Sequence, residues 1–264
     1  MLRIKYNGKE IDTDNVMVSH FVDSDDLVVI LNGYQIDYDA KLKEDDELYI
    51  INKGVMPDVE ELEAMMKARM TPGVYDKVKK GSVAIAGLGG LGSNIAIALA
   101  RTGVGRLLLV DFDTVEPSNL NRQAYGISHL GMKKIDAMKD VISDINPFIS
   151  VETICKRVTE DNVLELFSGY NVVCEAFDKA ESKAMLVNML IENTDVKVVA
   201  ASGMAGYESS NSIKTVRRMS RLYVCGDMEN EAKEGMGLMA PRVQICAGHQ
   251  ANMIIRLLLE LEEE

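Results

Sequence analysis

The sequence predicts a doubly wound α/β fold with a mainly parallel sheet, preceded by a small α+β module. From residue 81 onwards, short apolar segments of strand character alternate with segments of helical spacing, a pattern typical of parallel sheets. A glycine-rich turn at residues 87–92 lies between the first of these strands and the helix after it. Residues 1–56 differ, because their short strand-like segments are separated by Asn-Gly turns.

The N-terminal region is predicted to contain short strands and two helices. The strands are expected at residues 2–6, 9–12, 27–31 and 47–52. Asn7-Gly8 and Asn32-Gly33 are strong turn signals between them. One helix is predicted at residues 15–22, and a second at residues 59–70, where acidic side chains come first and basic ones late.

The rest of the chain is predicted to form one nucleotide-binding domain. We place this domain at residues 81–264, after the module at 1–56 and a helical connector at 57–80. Its strands are expected at residues 82–86, 106–110, 150–154, 171–175 and 197–201. Its helices are expected at residues 91–102, 133–145, 161–166, 180–193 and 246–263.

The composition argues against several classes of partner. The formal net charge of −12 disfavours nucleic acid, because an acidic surface repels phosphate backbones. The four cysteines form no Cys-x-x-Cys pair, which argues against a zinc ribbon and fits a reducing compartment. The sequence shows neither an N-terminal signal pattern nor an apolar run of about 20 residues. We therefore expect a cytoplasmic protein without a membrane partner.

The glycine-rich turn has the spacing of a nucleotide-binding motif. Gly87 permits a tight turn, Gly89 lets the backbone approach a phosphate, and Gly92 allows the helix to pack on the strand. Gly90 is grouped with them as a nucleotide-binding position, because the helix N-terminus offers free N–H groups to an anion. Asp111 ends the next strand, about 20 residues further on, where an acid can bind a ribose hydroxyl. These features alone fit NAD as well as ATP.

The residues after this acid favour ATP over NAD. An enzyme that attacks the α-phosphate of ATP must stabilise charge on the phosphate oxygens and on the leaving pyrophosphate. Arg122 offers a planar fork for this purpose, and Lys134 offers a mobile point charge. Asp178 follows the predicted strand at 171–175, where a carboxylate can hold Mg²⁺ beside a triphosphate. Taken singly, each of the three also fits an ordinary surface charge.

Three strings of residues carry a family resemblance. They are Gly-x-Gly-Gly-Leu-Gly at 87–92, Asp-x-Asp-x-Val-x-x-Ser-Asn-Leu-Asn-Arg-Gln at 111–123, and Gly-Met-Lys-Lys at 131–134. Together they resemble the ubiquitin-activating-enzyme-like adenylyltransferases of the ThiF/MoeB type, whose fold is Rossmann-like. The resemblance covers about residues 65–258, and the stretches 175–178, 200–206 and 238–243 are similar to the ThiF branch.

The resemblance implies a role for each polar residue of the site. Asp111 would bind the ribose, and Asp113 would lie beside the nucleotide and its metal. Four further residues are implied to contact the nucleotide, mostly through its phosphates: Asn119, Arg122, Gln123 and Lys134. Asp178 would bind Mg²⁺, so that Arg122, Lys134 and Asp178 are the implied catalytic residues. Arg69 would reach the ATP of the partner subunit in a homodimer, although it also fits a helix-capping role.

The resemblance also implies a reaction and a partner. The C-terminal glycine carboxylate of a small sulfur-carrier protein with a Gly-Gly terminus, such as ThiS, would attack the α-phosphate of ATP. The products would be the acyl-adenylate of the carrier and pyrophosphate. The pathway implied is the synthesis of the thiazole part of thiamine. Two alternatives stay open: adenylation of another carrier, of the molybdopterin or a cysteine pathway, and a non-catalytic nucleotide-binding scaffold. An NAD-dependent dehydrogenase is disfavoured, because the sequence offers no His–acid pair for hydride transfer.

The sequence departs from the family pattern at two places. Many relatives bind zinc through two Cys-x-x-Cys pairs, which are missing here, so we expect no structural zinc. Cys225 lies in the region where some relatives use a reactive cysteine, but its apolar neighbours predict a buried packing thiol. Residues 1–54 resemble the β-grasp fold of ThiS. They end in a single Gly54 that continues into Val55, so this module lacks the free Gly-Gly tail of a carrier.

Overall fold

The computed structural model describes residues 1–24 and 26–263. Its contacts divide the chain into two compact units, Met1–Asp76 and Lys77–Glu264. The predicted connector at 57–80 is therefore shared between the two units. A short helix, α2 (Val74–Val78), contains the border between them.

The described residues of the first unit form a five-stranded sheet in the order β2-β1-β5-β3-β4. The strands are β1 (Leu2–Tyr6), β2 (Lys9–Thr13), β3 (Leu27–Leu31), β4 (Tyr34–Gln35) and β5 (Glu47–Asn52). The β1 and β5 pair is parallel, and the remaining pairs are antiparallel. The predicted helix at 15–22 is wrong: only a 3-10 turn forms, at Val18–Phe21, and Val18 is its one buried side chain. One buried position cannot anchor a longer amphipathic helix.

Both faces of this sheet are covered. One face packs into a core that includes Ile4, Leu27 and Leu48. On the other face, Ile30 and Tyr49 pack against Ala64 and Ala68, which lie in and just after helix α1 (Val59–Met66). The side chain of Asp58 caps this helix by accepting the N–H of Glu61 at 2.8 Å. Helix α1 is shorter than the predicted 59–70 and is part of the small unit's core.

The described residues of the second unit form a seven-stranded sheet in the order β11-β12-β10-β9-β6-β7-β8. The strands are β6 (Ser82–Ala86), β7 (Arg106–Val110), β8 (Ser150–Ile154), β9 (Val172–Glu175), β10 (Lys197–Ala201), β11 (Lys214–Met219) and β12 (Leu222–Gly226). All pairs are parallel except β11 with β12. The predicted doubly wound, mainly parallel α/β fold is confirmed.

Helices cover both faces of the large sheet. They are α3 (Gly90–Thr102), α4 (Lys134–Ile145), α5 (Val163–Phe167), α6 (Ala180–Asn193) and α7 (Ala240–Leu258). Helix α3 contacts α4 and α7, whereas α5 contacts α6. The last helix differs from the predicted 246–263 at both ends. It begins six residues earlier, with Pro241 in its first turn, where a missing N–H costs nothing, and it ends five residues earlier, at Leu258. No described helix is long and apolar enough to cross a membrane.

Candidate nucleotide-binding site

The predicted site residues of the second unit lie at the carboxyl-terminal ends of the central strands of the large sheet. Strand β6 lies between β7 and β9, and the helices that follow β6 and β9, α3 and α6, cover opposite faces. This is a topological switch point, where the carboxyl ends of parallel strands leave a crevice. The glycine turn follows β6, Asp111 follows β7, and Asp178 follows β9.

Each glycine of the turn meets a different environment. Gly87 has a φ of +95°, and a Cβ there would lie 2.8 Å from the carbonyl oxygen of Ala176 in the loop after β9. A Cβ on Gly92 would lie 1.8 Å from the carbonyl oxygen of Gly87, so helix α3 can pack this closely only with glycine. A Cβ on Gly90 would approach Arg122 Cγ at 3.5 Å. A Cβ on Gly89, in contrast, would meet no described atom within 4 Å other than those of its chain neighbours.

Asp111 organises the backbone around the turn. Its Oδ2 accepts the N–H of Leu88 at 2.7 Å, and its Oδ1 accepts the N–H of Asp113 at 2.7 Å. The side chain is buried, so these charge-assisted bonds fix the turn relative to the strand beside it. Each oxygen keeps a second lone pair, and the ribose contact stays a prediction.

A pocket of about 350 Å³ is lined by residues that follow Asp111 in the chain. Its lining includes Phe112, Asp113, Asn119 and Lys134. Lys134 is 6% exposed, and its Nζ lies 3.0 Å from Asp113 Oδ2. Asn119 Oδ1 accepts the N–H of Glu116 at 3.0 Å, which holds the short 3-10 turn at Pro117–Asn119. A paired ammonium and an anchored amide therefore face one cavity.

Arg122 lies half-buried alongside Gly90. Its Nη1 donates to the carbonyl oxygen of Ser118 at 3.1 Å and to Asn121 Oδ1 at 2.8 Å. Its Nε is buried and has no hydrogen-bond partner among residues 1–24 and 26–263, and the same is true of Gln123 Oε1. Buried polar atoms are normally paired, so Arg122 keeps one guanidinium donor available beside the glycine turn.

The other two predicted site residues have different surroundings. Asp178 is exposed three residues after the end of β9, in the loop against which Gly87 packs. Within the described residues, no group of three or more His, Cys, Asp or Glu side chains is arranged to hold a metal ion. Arg69 belongs to the first unit, where its Nη2 donates to Gln35 Oε1. The roles predicted for both residues stay predictions.

The chain matches two family models. The ThiF family model matches residues 62–264, which is more than half of the chain. The chain belongs to the ThiF family. A ThiS-like ubiquitin model matches residues 2–54, which confirms the predicted ThiS-like module in front of the ThiF-family domain.

Relatives of this ThiF-family chain carry several names. The molybdopterin-synthase adenylyltransferase of Haemophilus influenzae is 32% identical over 197 residues, which is 70% of this chain and 78% of that protein. The adenylyltransferase and sulfurtransferase UBA4 of Saccharomyces cerevisiae is 34% identical over 150 residues, or 56% of this chain. The chain spans only 34% of the length of UBA4. A structural relative is E. coli tRNA N6-threonylcarbamoyladenosine dehydratase, whose crystal structure was solved with ATP. The two structures are similar with a TM-score of 0.69 at 22% identity, over 78% of this chain and 97% of the dehydratase chain. This similarity supports the fold.

The ThiF-family domain also contains a buried polar anchor that sequence reasoning did not predict. Arg242 Nη2 pairs with the Asp227 carboxylate, and both side chains are buried. Arg242 Nη1 also donates to the carbonyl oxygens of Glu208 and Ser209 at 2.7 and 2.8 Å. Burial would raise the pKa of Asp227, but donors from Asn230, Glu229 and Arg242 lower it below its ordinary value. The pair thus joins the loops after β10 and β12 to the start of α7.

We predict that, of the four thiols in this ThiF-family chain, Cys155 alone reacts rapidly with iodoacetamide at pH 8 in the folded protein. Cys155 is exposed, whereas the other three cysteines are buried, as predicted for Cys225. Burial raises the pKa of Cys225 to about 11, that of Cys246 to about 12, and that of Cys174 well above its usual range. Burial keeps the reagent from these three sulfur atoms, and the raised pKa leaves little of each thiol in the reactive thiolate form at pH 8.

Intact mass spectrometry after a short exposure checks this prediction. One adduct is expected on the folded protein and four in denaturant. Peptide mapping that finds Cys225 alkylated as fast as Cys155 would contradict the assignment of Cys225 as a packing thiol.

Proposed function

We propose that this chain is an enzyme that adenylates the C-terminal glycine carboxylate of a small ThiS-like sulfur carrier, for thiamine thiazole synthesis. The observation that carries the proposal is the unpaired, buried Nε of Arg122 beside an open glycine turn. A phosphate oxygen at this place would receive the Nε donor and the N–H groups of the helix N-terminus together. Two relatives named above are adenylyltransferases, which supports the same class of reaction.

The reaction needs positioning and charge neutralisation rather than a general base. A glycine carboxylate is ionised at neutral pH, so one of its oxygens can attack the α-phosphorus of ATP directly. As that bond forms, the bond from the α-phosphorus to the bridging oxygen breaks, and pyrophosphate leaves with the electron pair. The products are the acyl-adenylate and pyrophosphate, and the chain supplies fixed cations where negative charge grows.

The two cations of the site are held in different ways. Arg122 has two acceptors on its own segment, which orient its planar group and leave the Nε donor for the nucleotide. Lys134 is held by its ion pair with Asp113 at the wall of the pocket. In this proposal Arg122 binds the phosphates next to the turn, and Lys134 neutralises charge on the pocket side.

We further propose that Asp178 holds Mg²⁺ together with the phosphates. Mg²⁺ is bound by one or two carboxylates plus substrate phosphates and water, so an exposed acid in the loop after β9 fits this requirement. When bound, Mg²⁺ contributes neutralisation of the phosphate charge. Arg69 completing the partner subunit's site in a homodimer is part of the same proposal, and its test is the oligomeric state of an Arg69→Ala variant and its affinity for ATP.

The N-terminal module, proposed at residues 1–56, is not the substrate in this scheme. Gly54 continues into Val55, so its carboxyl group is a peptide bond. Helix α1 follows and packs on the module's own sheet through Ala64. We propose that the module helps to recognise the carrier and is not adenylated itself.

ATP–pyrophosphate exchange tests the function. The full chain is mixed with MgATP, labelled pyrophosphate and one purified carrier at a time: ThiS, the molybdopterin carrier, or a cysteine-pathway carrier. Exchange with ThiS alone supports the proposal, and exchange with another carrier alone assigns the enzyme to that pathway. A carrier that lacks its last glycine is the matched control. Exchange without any carrier would mean that the chain adenylates itself, and no exchange with any of them would overturn the enzymatic function.

A further inference from the structure

Three consecutive carbonyl groups of the glycine turn are each held by a side chain. The hydroxyl of Tyr125 donates to the carbonyl oxygen of Leu88 at 2.9 Å. Ser93 Oγ donates to the carbonyl oxygen of Gly89 at 2.6 Å, and Asn94 Nδ2 donates to that of Gly90 at 2.7 Å. All three bonds draw carbonyl oxygens towards protein groups.

The direction of these carbonyls decides what the turn offers to an anion. A carbonyl oxygen carries partial negative charge and repels a phosphate, whereas a backbone N–H attracts it. In a planar trans peptide, the N–H points away from the C=O of the same unit. Holding the carbonyl of Leu88 on the protein side therefore turns the N–H of Gly89 outwards. The space around Gly89 is open, since a Cβ placed there would meet no described atom within 4 Å other than those of its neighbours in the chain.

Tyr125 differs from the other two side chains in its place in the chain. Ser93 and Asn94 lie four residues after the carbonyls they hold, as local side chains of helix α3. Tyr125 comes from a segment 37 residues away, and it is 7% exposed. Burial raises the pKa of its hydroxyl, which therefore stays protonated and donates.

The same distant segment makes two more bonds to helix α3. The N–H of Ala124 donates to Ser93 Oγ at 3.1 Å. Asn94 Nδ2, besides holding Gly90, donates to the carbonyl oxygen of Arg122 at 3.0 Å. The segment that carries the guanidinium is thus tied to the turn by hydrogen bonds, and Asp111 holds the N–H of Leu88 from the other side.

We propose that Tyr125 is a positioning residue for the triphosphate: its hydroxyl keeps the Leu88 carbonyl turned inwards and the Gly89 N–H turned towards the phosphates. The inference rests on the proposed function, in which the turn binds ATP. In this proposal Tyr125 touches no substrate and acts only through the Leu88–Gly89 peptide that its hydroxyl holds. Its loss should therefore weaken phosphate binding and leave nucleoside binding unchanged.

The test compares two ligands on one variant. Tyr125→Phe removes a single oxygen and keeps the buried ring. We expect its Kd for ATP, measured by calorimetry with Mg²⁺, to rise about fivefold to tenfold, as for the loss of one hydrogen bond. Its Kd for adenosine, measured by ligand-observed NMR, should stay within twofold of the unsubstituted value, about the scatter of such measurements.

Tyr223→Phe is the matched control. Tyr223 is another buried tyrosine whose hydroxyl donates to a backbone carbonyl, that of Glu262, at 3.0 Å. Tyr223→Phe should lower Tm by about as much as Tyr125→Phe does. It should leave the affinities for ATP and for adenosine unchanged. Ser93→Ala removes one of the two donors to the Gly89 carbonyl and also the acceptor of the Ala124 N–H, next to Tyr125. It should repeat the selective loss of ATP affinity and stands in if Tyr125→Phe does not fold.

The outcomes separate the two proposals. Equal changes in ATP and adenosine affinity, or no change in either, would overturn the positioning role of Tyr125. If the unsubstituted protein binds adenosine but not ATP, or binds neither, the proposed function itself fails and takes this inference with it.

Discussion

Replacing Asp178 with alanine is expected to reduce ATP–pyrophosphate exchange at least about a hundredfold, while ATP still binds measurably. The carboxylate is exposed and follows β9 at the switch point, so its removal disturbs no buried contact. In the proposed reaction it holds the metal that neutralises the leaving pyrophosphate. Charge on that group grows as the bond to the α-phosphorus breaks, so the loss falls mainly on the rate.

Two further variants test whether the loss of exchange is specific to the carboxylate of Asp178. Glu181→Ala removes an exposed acid three residues later, in the first turn of α6, and should leave exchange nearly unchanged. Asp178→Asn keeps the size of the side chain and should be almost as inactive as alanine. If exchange and ATP affinity fall by equal factors in Asp178→Ala, the residue binds the nucleotide or supports the fold instead of promoting the chemistry.

Five strands of the large sheet were predictable from their short apolar and β-branched segments. The segments at 82–86, 106–110, 150–154 and 197–201 form strands with the predicted bounds, and the one at 171–175 begins one residue later. Strands β11 and β12 were not predicted, and the apolar residues 222–226 of β12 indicated only a buried thiol at Cys225. Strand β11 carries charged residues on a mostly exposed surface. Such a strand needs no apolar pattern, since one antiparallel partner holds it.

The candidate site was predictable only as far as its residues follow a linear motif. The turn and the string from Asp111 to Gln123 stand in the sequence with their spacing, and the structure brings them to one crevice. The bond from Tyr125 to Leu88 spans 37 residues, and no spacing in the sequence encodes it. Its only signal is a polar aromatic residue two positions after the end of the motif, a position that fits a surface residue equally well.

Gly92→Ala is expected to destabilise the protein by at least about 3 kcal/mol and to abolish ATP binding. The added Cβ would lie 1.8 Å from the carbonyl oxygen of Gly87, so helix α3 must move away from the end of β6. Because Gly87 packs in turn against Ala176, the movement also disturbs the loop that carries Asp178. Chemical denaturation followed by circular dichroism measures the loss of stability.

Gly89→Ala is the control that separates folding from binding. Gly89 has a φ of −77° and a ψ of −149°, at the border of the extended region that alanine prefers, and its added Cβ would meet no described atom within 4 Å other than those of its chain neighbours. The free energy of unfolding should therefore fall by no more than about 1 kcal/mol, well below the loss expected for Gly92→Ala. The methyl group, however, would project into the space proposed for the phosphates, so the Kd for ATP should rise more than about tenfold, or 1.4 kcal/mol. Normal ATP affinity in a stable Gly89→Ala protein would mean that the phosphates do not lie over this turn, and the crevice would need another ligand.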